Sequence, residues 1–427
     1  MSRDNHHVNT QKQALVENVL ILQAGGSLGA YECGVFKSLA KHNIWFDIVA
    51  GTSIGSVNAS VIVDSLRNKL QNKKNKGTEN TNNSNSSTDK DKHAMLIETA
   101  CKLEEYWLNT TDNIVPNYVH FKVRSYISAA NTFTFGHPIG LNPIWFYSGN
   151  PLLNNALASP YLYDTAQFKQ TLRERINFEN LISTQTHNNN NLQENTFSSP
   201  RLILASTDIQ KGEPVIFDTN AMDITAEHIS ACIAYPFYGL KWENIGKKYL
   251  WDGSILGGSP LKAVMRSSPF KEKVVIDIDL FPRYQEKLPN NFAETWHRAR
   301  DILFLDKSHP EIEESDNLRE IYPLLEEMHD IITDNFDNTQ NKKLKDRLKQ
   351  MENKYNSIID KRGKIIKELI KIKRNEDEKS HHSLFEDWDF SIQTIKELIK
   401  QGEEDAESAL QKRENLNSIL NNEVFIK

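Results

Sequence analysis

Cysteine is scarce in this 427-residue chain: Cys33, Cys101 and Cys232 stand far apart. Isolated thiols at such spacing exclude a disulfide framework or a four-cysteine zinc site, and they fit a reducing compartment. Long apolar runs are missing as well; none approaches the roughly 20 residues that span a bilayer. Met1–Glu17 is polar, without the apolar core of a secretory signal. The expected location is therefore cytoplasmic, peripheral at the membrane at most. Nor is there a large excess of positive charge, since 51 Lys and Arg face 57 Asp and Glu. A net charge of −6 gives no general pull toward phosphates and argues against nucleic acid as a partner. Charged residues make up 25% of the chain, which excludes wholesale disorder.

Two stretches lack apolar residues locally. Gln71–His93 has none, and Thr184–Ser199 has almost none, with four consecutive Asn at 188–191. Neither buries enough surface to offset the entropy of ordering, so 71–93 and 184–199 are expected as mobile surface insertions. Residues 1–15 are expected as a flexible N-terminus.

What remains is patterned as α/β. Asn18–Gln23 is a short β-branched run ending at Gly25-Gly26, which predicts a buried strand. Gly29–His42 carries Tyr31, Val35, Phe36 and Leu39 at helical spacing; Ile44–Ala50 predicts a second strand and Val57–Leu66 a second helix. Strand–helix–strand–helix at this pace implies parallel strands with crossover helices. Further strands are predicted at 201–205, 214–217 and 273–280.

Three motifs lie at the turns of this pattern. Gly51-Thr52-Ser53-Ile54-Gly55 reads G-x-S-x-G between a predicted strand and helix. A nucleophilic serine needs a sharp turn that presents its hydroxyl, and the flanking glycines leave room for one. The helix N-terminus adds amides near a developing oxyanion. Gly25-Gly26-Ser27-Leu28-Gly29 forms a second turn one βα unit earlier. It lacks the spacing of a dinucleotide fold and the Lys of a P-loop. Beside Ser53 it sits where an oxyanion hole is needed. A base is also required. The late histidines His297, His309, His329, His381 and His382 have no loop-after-strand context, so a Ser–His–Asp triad is weakly supported. Asp252, at the Asp-Gly turn that follows Tyr249-Leu250-Trp251, is the better candidate. Partial burial would raise its pKa toward that of a useful base.

In this order, Gly-Gly-x-x-Gly, Gly-x-Ser-x-Gly and Asp-Gly resemble the patatin-like phospholipases, their bacterial branch in particular. The resemblance runs through Leu20–Ala59 and continues in Leu202–Asp218, Ile229–Leu240 and Tyr249–Leu261, covering roughly Val16 to Asp306. It implies a three-layer α/β/α sandwich with a mostly parallel central sheet and lipid acyl hydrolysis by a Ser–Asp dyad, without metal or organic cofactor. Carried over by position, it makes Ser53 the nucleophile and Asp252 the base. The amides of Gly25, Gly26 and Ser27 become the oxyanion hole, with Gly29 completing the glycine loop and Gly51 and Gly55 flanking the nucleophile elbow. Three positions depart from the family pattern: Ala24 stands for a third Gly, Leu28 for a frequent cation, and Ser254 for Gly or Ala. An acyltransferase using the same serine, and a non-catalytic helical scaffold, are the alternatives. Ten aromatic residues between Tyr106 and Tyr147 suit an acyl pocket or core packing equally.

The remainder, 307–427, is expected as a charged, coiled-coil-like helical extension. Leu344, Leu348, Met351, Tyr355, Ile358, Ile365, Leu369 and Ile372 form a heptad-like stripe that predicts a long helix over 342–374. Residues 341–374 carry a net +9 and 375–427 a net −7. Antiparallel pairing of these two blocks is expected, the alternative being a basic helix lying on anionic lipid. Self-association through these helices is a further possible contact.

Overall fold

The computed structural model describes residues 16–76, 86–112, 115–116, 119–137, 141–144, 159–183, 199–257, 259–268, 271–305, 307–336, 342–359, 364–374 and 386–423. Residues 1–15 and 184–198, expected to be flexible, lie outside them, as do 145–147, His381 and His382.

The short β-branched runs form β1 (Val16–Leu22) and β2 (Ile48–Thr52), joined by α1 (Gly29–Lys41). Next come α2 (Ile54–Lys76), α3 (Ser86–Asn109) and α4 (Phe121–Phe135). The two-residue strands β3 (Asn142–Pro143) and β4 (Tyr163–Asp164) precede α5 (Ala166–Arg175). Then follow β5 (Arg201–Asp208), β6 (Glu213–Asp218), α6 (Ala226–Ile233), β7 (Glu243–Ile245) and β8 (Lys248–Asp252). α7 (Leu261–Ser267), β9 (Glu272–Asp279) and α8 (Phe292–Phe304) lead into α9 (His309–Phe336) and α10 (Lys342–Ile359). β10 (Ile366–Lys373) and α11 (Ile392–Glu423) come last.

The central sheet runs β10-β9-β1-β2-β5-β8-β7, with β6 also paired to β5. β10, β9, β1, β2 and β5 are parallel, while β6, β7 and β8 are antiparallel. Side chains alternate across it. Leu20, Leu22 and Val49 enter a large core with α1, α2, α6 and α11; Val19, Ile21 and Ile48 enter a smaller one with α7 and Ile312 of α9. Two apolar cores on either side of one mostly parallel sheet make the expected α/β/α sandwich.

Three expectations need correction. Segment 71–93 is helical at both ends, because α2 runs on to Lys76 and α3 begins at Ser86. The Lys and Gln residues at these ends are good helix formers, and the two helices are cross-linked there, Lys73 reaching Asp91 at 2.6 Å. The stripe over 342–374 is not one helix either, since α10 stops at Ile359 and β10 pairs in parallel with β9, Ile370 opposite Ile276. Isoleucines that match a heptad over a few residues also suit a strand, and the open edge of β9 decides between the two. Finally, α10 pairs with α9 and not with the acidic segment after it; His329 stacks on Tyr355 with centroids 3.9 Å apart. α9 carries nine Asp and Glu against Arg319 alone, so the opposite-charge logic stands while the partner changes.

The boundary expected near 306 is crossed by the sheet itself. α11 lies along α1, with Lys37 paired to Glu403 at 2.6 Å and Tyr31 donating to Asp405 at 3.0 Å. Their backbones approach so closely that a Cβ on Gly34 would run into the Ile399 carbonyl, and one on Gly402 into that of Tyr31. Among the described residues, no helix is long and apolar enough to cross a membrane.

Candidate active site

The register of β5 brings two motifs together. Ala205 lies opposite Thr52 of β2, and the next residue, Ser206, lies opposite Asp252 of β8. β6 pairs along β5 from Ile203 to Asp208 and so occupies its other edge. β2 and β8 must then share one edge, end to end. Ser53 follows Thr52 directly, so the serine and the aspartate meet where these strands abut.

Ser53 has φ 54°, the left-handed region that non-glycine residues rarely adopt. Such strain persists only where the surroundings enforce it. Here they do: a Cβ on Gly51 would run into the carbonyl of Gly55. Gly55 in turn backs onto the end of β1, its N–H donating to the Gln23 carbonyl at 3.1 Å. Both glycines are steric requirements of the elbow.

Asp252 is fully buried, and Oδ1 accepts from the Ser254 N–H at 2.8 Å. Oδ2 has no hydrogen bond of ordinary geometry. Burial pushes the Asp252 pKa up to about 6, opposed first by the Ser53 hydroxyl and then by the Ser254 amide. A loose serine–carboxylate contact is common in an unliganded site and tightens when substrate binds.

The glycine loop completes the group. Gly26 has φ 58°, and the Gly25 carbonyl accepts from the Leu28 N–H at 3.0 Å. Gly25, Gly26 and Ser53 line one cavity of about 100 Å³. The Ser27 hydroxyl donates to the Glu386 carbonyl at 2.5 Å, and Ser27 is not among the residues that line the cavity. Gly29 packs against Trp107 and Ile54 at the start of α1.

Several supports gave no local signal. The Gln23 N–H, just before the loop, donates to buried Glu32 at 2.5 Å; Asn58 donates to the other oxygen at 2.8 Å. Trp107 then donates to Asn58 at 2.9 Å. Burial pushes Glu32 up to about 8, with the hydrogen bond from Asn58 opposing it first. Tyr106, from the aromatic run, lines the cavity, whereas Phe133 and Phe135 of α4 stand 52% and 63% exposed. Asp387, Trp388 and Phe390 also line it, from a segment read as a remote tail.

Of the histidines, His137 lines the cavity, but burial pushes it down to about 3, too weak for a base near neutrality. His297 does not line the cavity but belongs to an ion-pair cluster with Asp301 and Glu386, and His329 belongs to the α9–α10 contact.

A family model described as patatin-like phospholipase matches residues 20–265, more than half of the chain. Triacylglycerol lipase SDP1L of Arabidopsis thaliana is 41% identical over 51 residues. Those residues are 12% of this chain and 6% of that protein, so the chain matches well under a tenth of the relative's length. VipD from Legionella pneumophila, a solved structure, aligns over 93% of this chain and 67% of its own at 15% identity, with a TM-score of 0.34.

Proposed function

The chain belongs to the patatin-like phospholipase family, and from that premise we propose that it is a lipid acyl hydrolase working through a Ser53–Asp252 dyad. One observation carries the reading: successive residues of β5 stand opposite Thr52 and Asp252, so the strained serine and the buried carboxylate share one site. Ser53 Oγ attacks the ester carbonyl while Asp252 takes its proton. With a pKa near 6, Asp252 is ionised at neutral pH yet more basic than a free aspartate. The amides of Gly25 and Gly26, with that of Ser27, stabilise the tetrahedral oxyanion. Asp252 returns its proton to the leaving alcohol, then accepts one from the water that attacks the acyl-enzyme. Serine and free acid are regenerated.

The substrate class is a phospholipid or lysophospholipid. Contact with a lipid surface fits the exposed Phe133, which packs on Trp388, and Phe237, which packs on Tyr235. The test is a panel of short-chain phospholipid, lysophospholipid and triacylglycerol substrates for hydrolysis, with phospholipid vesicles for binding, and with wild type beside Ser53→Ala. The reading predicts fatty-acid release that the variant lacks and vesicle co-sedimentation that Phe237→Ser weakens. Equal release by both proteins would refute it.

A further inference from the structure

Glu386–Trp388 lies far outside the family-matched residues, yet it sits directly on the glycine loop as a short 3-10 turn. A Cβ on Gly26 would run into the Asp387 carbonyl, and the Ser27 hydroxyl holds the carbonyl of Glu386. Buried side chains clamp the turn from the other side. Arg300 donates to Asp387 at 2.8 Å and to Glu386 at 3.0 Å. Arg374 donates to the same Glu386 oxygen at 3.0 Å, and the Tyr238 hydroxyl to the second oxygen of Asp387.

This clamp fixes Trp388. The indole is 7% exposed, with its centroid 5.0 Å from the Tyr238 ring and 5.9 Å from each of Phe133 and Tyr163. Rings packed this closely on several sides leave little room to swing aside. Trp388 and Ser53 line the same cavity of about 100 Å³. That is small beside the roughly 300–1,000 Å³ of sites that enclose a drug-sized ligand.

We infer that Trp388 is the wall of an acyl-chain site that admits short chains beside Ser53 and turns long ones away. The inference rests on the reading of Ser53 as the acyl-bearing nucleophile and adds the class of acyl group. An apolar wall acts by excluded volume. In such pockets one methylene too many or too few changes kcat/KM by about 10–200-fold.

The test uses the whole chain as wild type, Trp388→Phe and Trp388→Ala, assayed on butyryl, octanoyl, lauroyl and palmitoyl nitrophenyl esters. Wild type is expected to favour the short esters. Trp388→Ala should raise the lauroyl-to-butyryl ratio of kcat/KM by about tenfold or more. Trp388→Phe should move it the same way by less, and it carries the test if the alanine variant fails to fold. An unchanged ratio overturns the inference. So does equal acceleration at every length, which would make the segment a lid. Calorimetric titration of the matching fatty acids into Ser53→Ala, with and without Trp388→Phe, separates the two readings. A length shift in binding without ester turnover by wild type supports the wall and refutes the hydrolase. Ser53-dependent turnover with one length profile in every protein supports the hydrolase and refutes the wall.

Discussion

The β1–α2 segment and the segment 366–423 both build the candidate site, but they reach it by opposite routes. In the first, adjacent residues do the work: Gly51, Ser53 and Gly55 shape one turn, and the chain need only fold strand to helix. In the second, partners stand hundreds of positions apart, as with Ser27 and Glu386 or Gly34 and Ile399. Local chemistry writes a motif, whereas long-range packing leaves a tryptophan and a few charges in what looks like a tail.

The largest expected effect falls on the motif side. Asp252→Asn should lower kcat by about 10³–10⁴, the scale seen when a hydrolase loses the orienting carboxylate of its triad. It should also stabilise the fold at pH 7.5. A carboxyl whose folded pKa is raised from 3.8 to about 6 contributes stability below pH 3.8 that is lost as pH rises through 6. The neutral amide removes a burial cost on the order of 1–3 kcal/mol. Urea melts of both proteins measure it; a destabilised variant would show that the ionised carboxylate is well satisfied in the fold.

Next comes the clamp. Arg300→Met leaves Asp387 buried without its cation, and Asp301 with His297 alone, and should cost about 3–5 kcal/mol. If the last hundred residues formed a separate domain, the loss would appear as an early transition with the rest of the central sheet intact. One cooperative transition at lower denaturant is predicted. Gly402→Leu probes the same distinction more gently, at about 1–3 kcal/mol for forcing α11 off α1. Differential scanning calorimetry should show a single lowered Tm; an unshifted main peak would break the comparison.

The smallest effects are in pH. With Asp252 as base, kcat/KM should fall about tenfold per unit as pH drops below 6. Stability responds elsewhere. Burial disfavours the charge of His297, but hydrogen bonds to Asp301 and Glu386 outweigh it and push its pKa up from 6.5 to about 9. Its contribution is therefore whole below pH 6.5 and fades as pH rises through 9. Chemical denaturation at pH 6 and pH 9.5 should differ by on the order of 1–3 kcal/mol, and less in His297→Gln.

The sheet's parallel half and the elbow were legible because each follows from short-range pattern: β-branched runs, glycine turns, helical spacing. The strand at 366–373 was not, because Ile365, Leu369 and Ile372 fit a helical stripe as well as an extended edge. What selects the strand is the unpaired side of β9, a fact about position 275 and its neighbours. The pairing of α10 was half legible: its basic charge called for an acidic partner, but loop length and packing chose α9. Glu32, Asn58 and Trp107 support the glycine loop from inside helices, where nothing in their own neighbourhoods marks them.

The central claim is that Ser53 is the residue that carries the acyl group. Treating the folded chain with a fluorophosphonate and mapping the adduct by peptide mass tests it directly. The account predicts one adduct on Ser53, absent in Ser53→Ala and formed more slowly in Asp252→Asn. An adduct elsewhere, or none on Ser53 in folded protein, would contradict it.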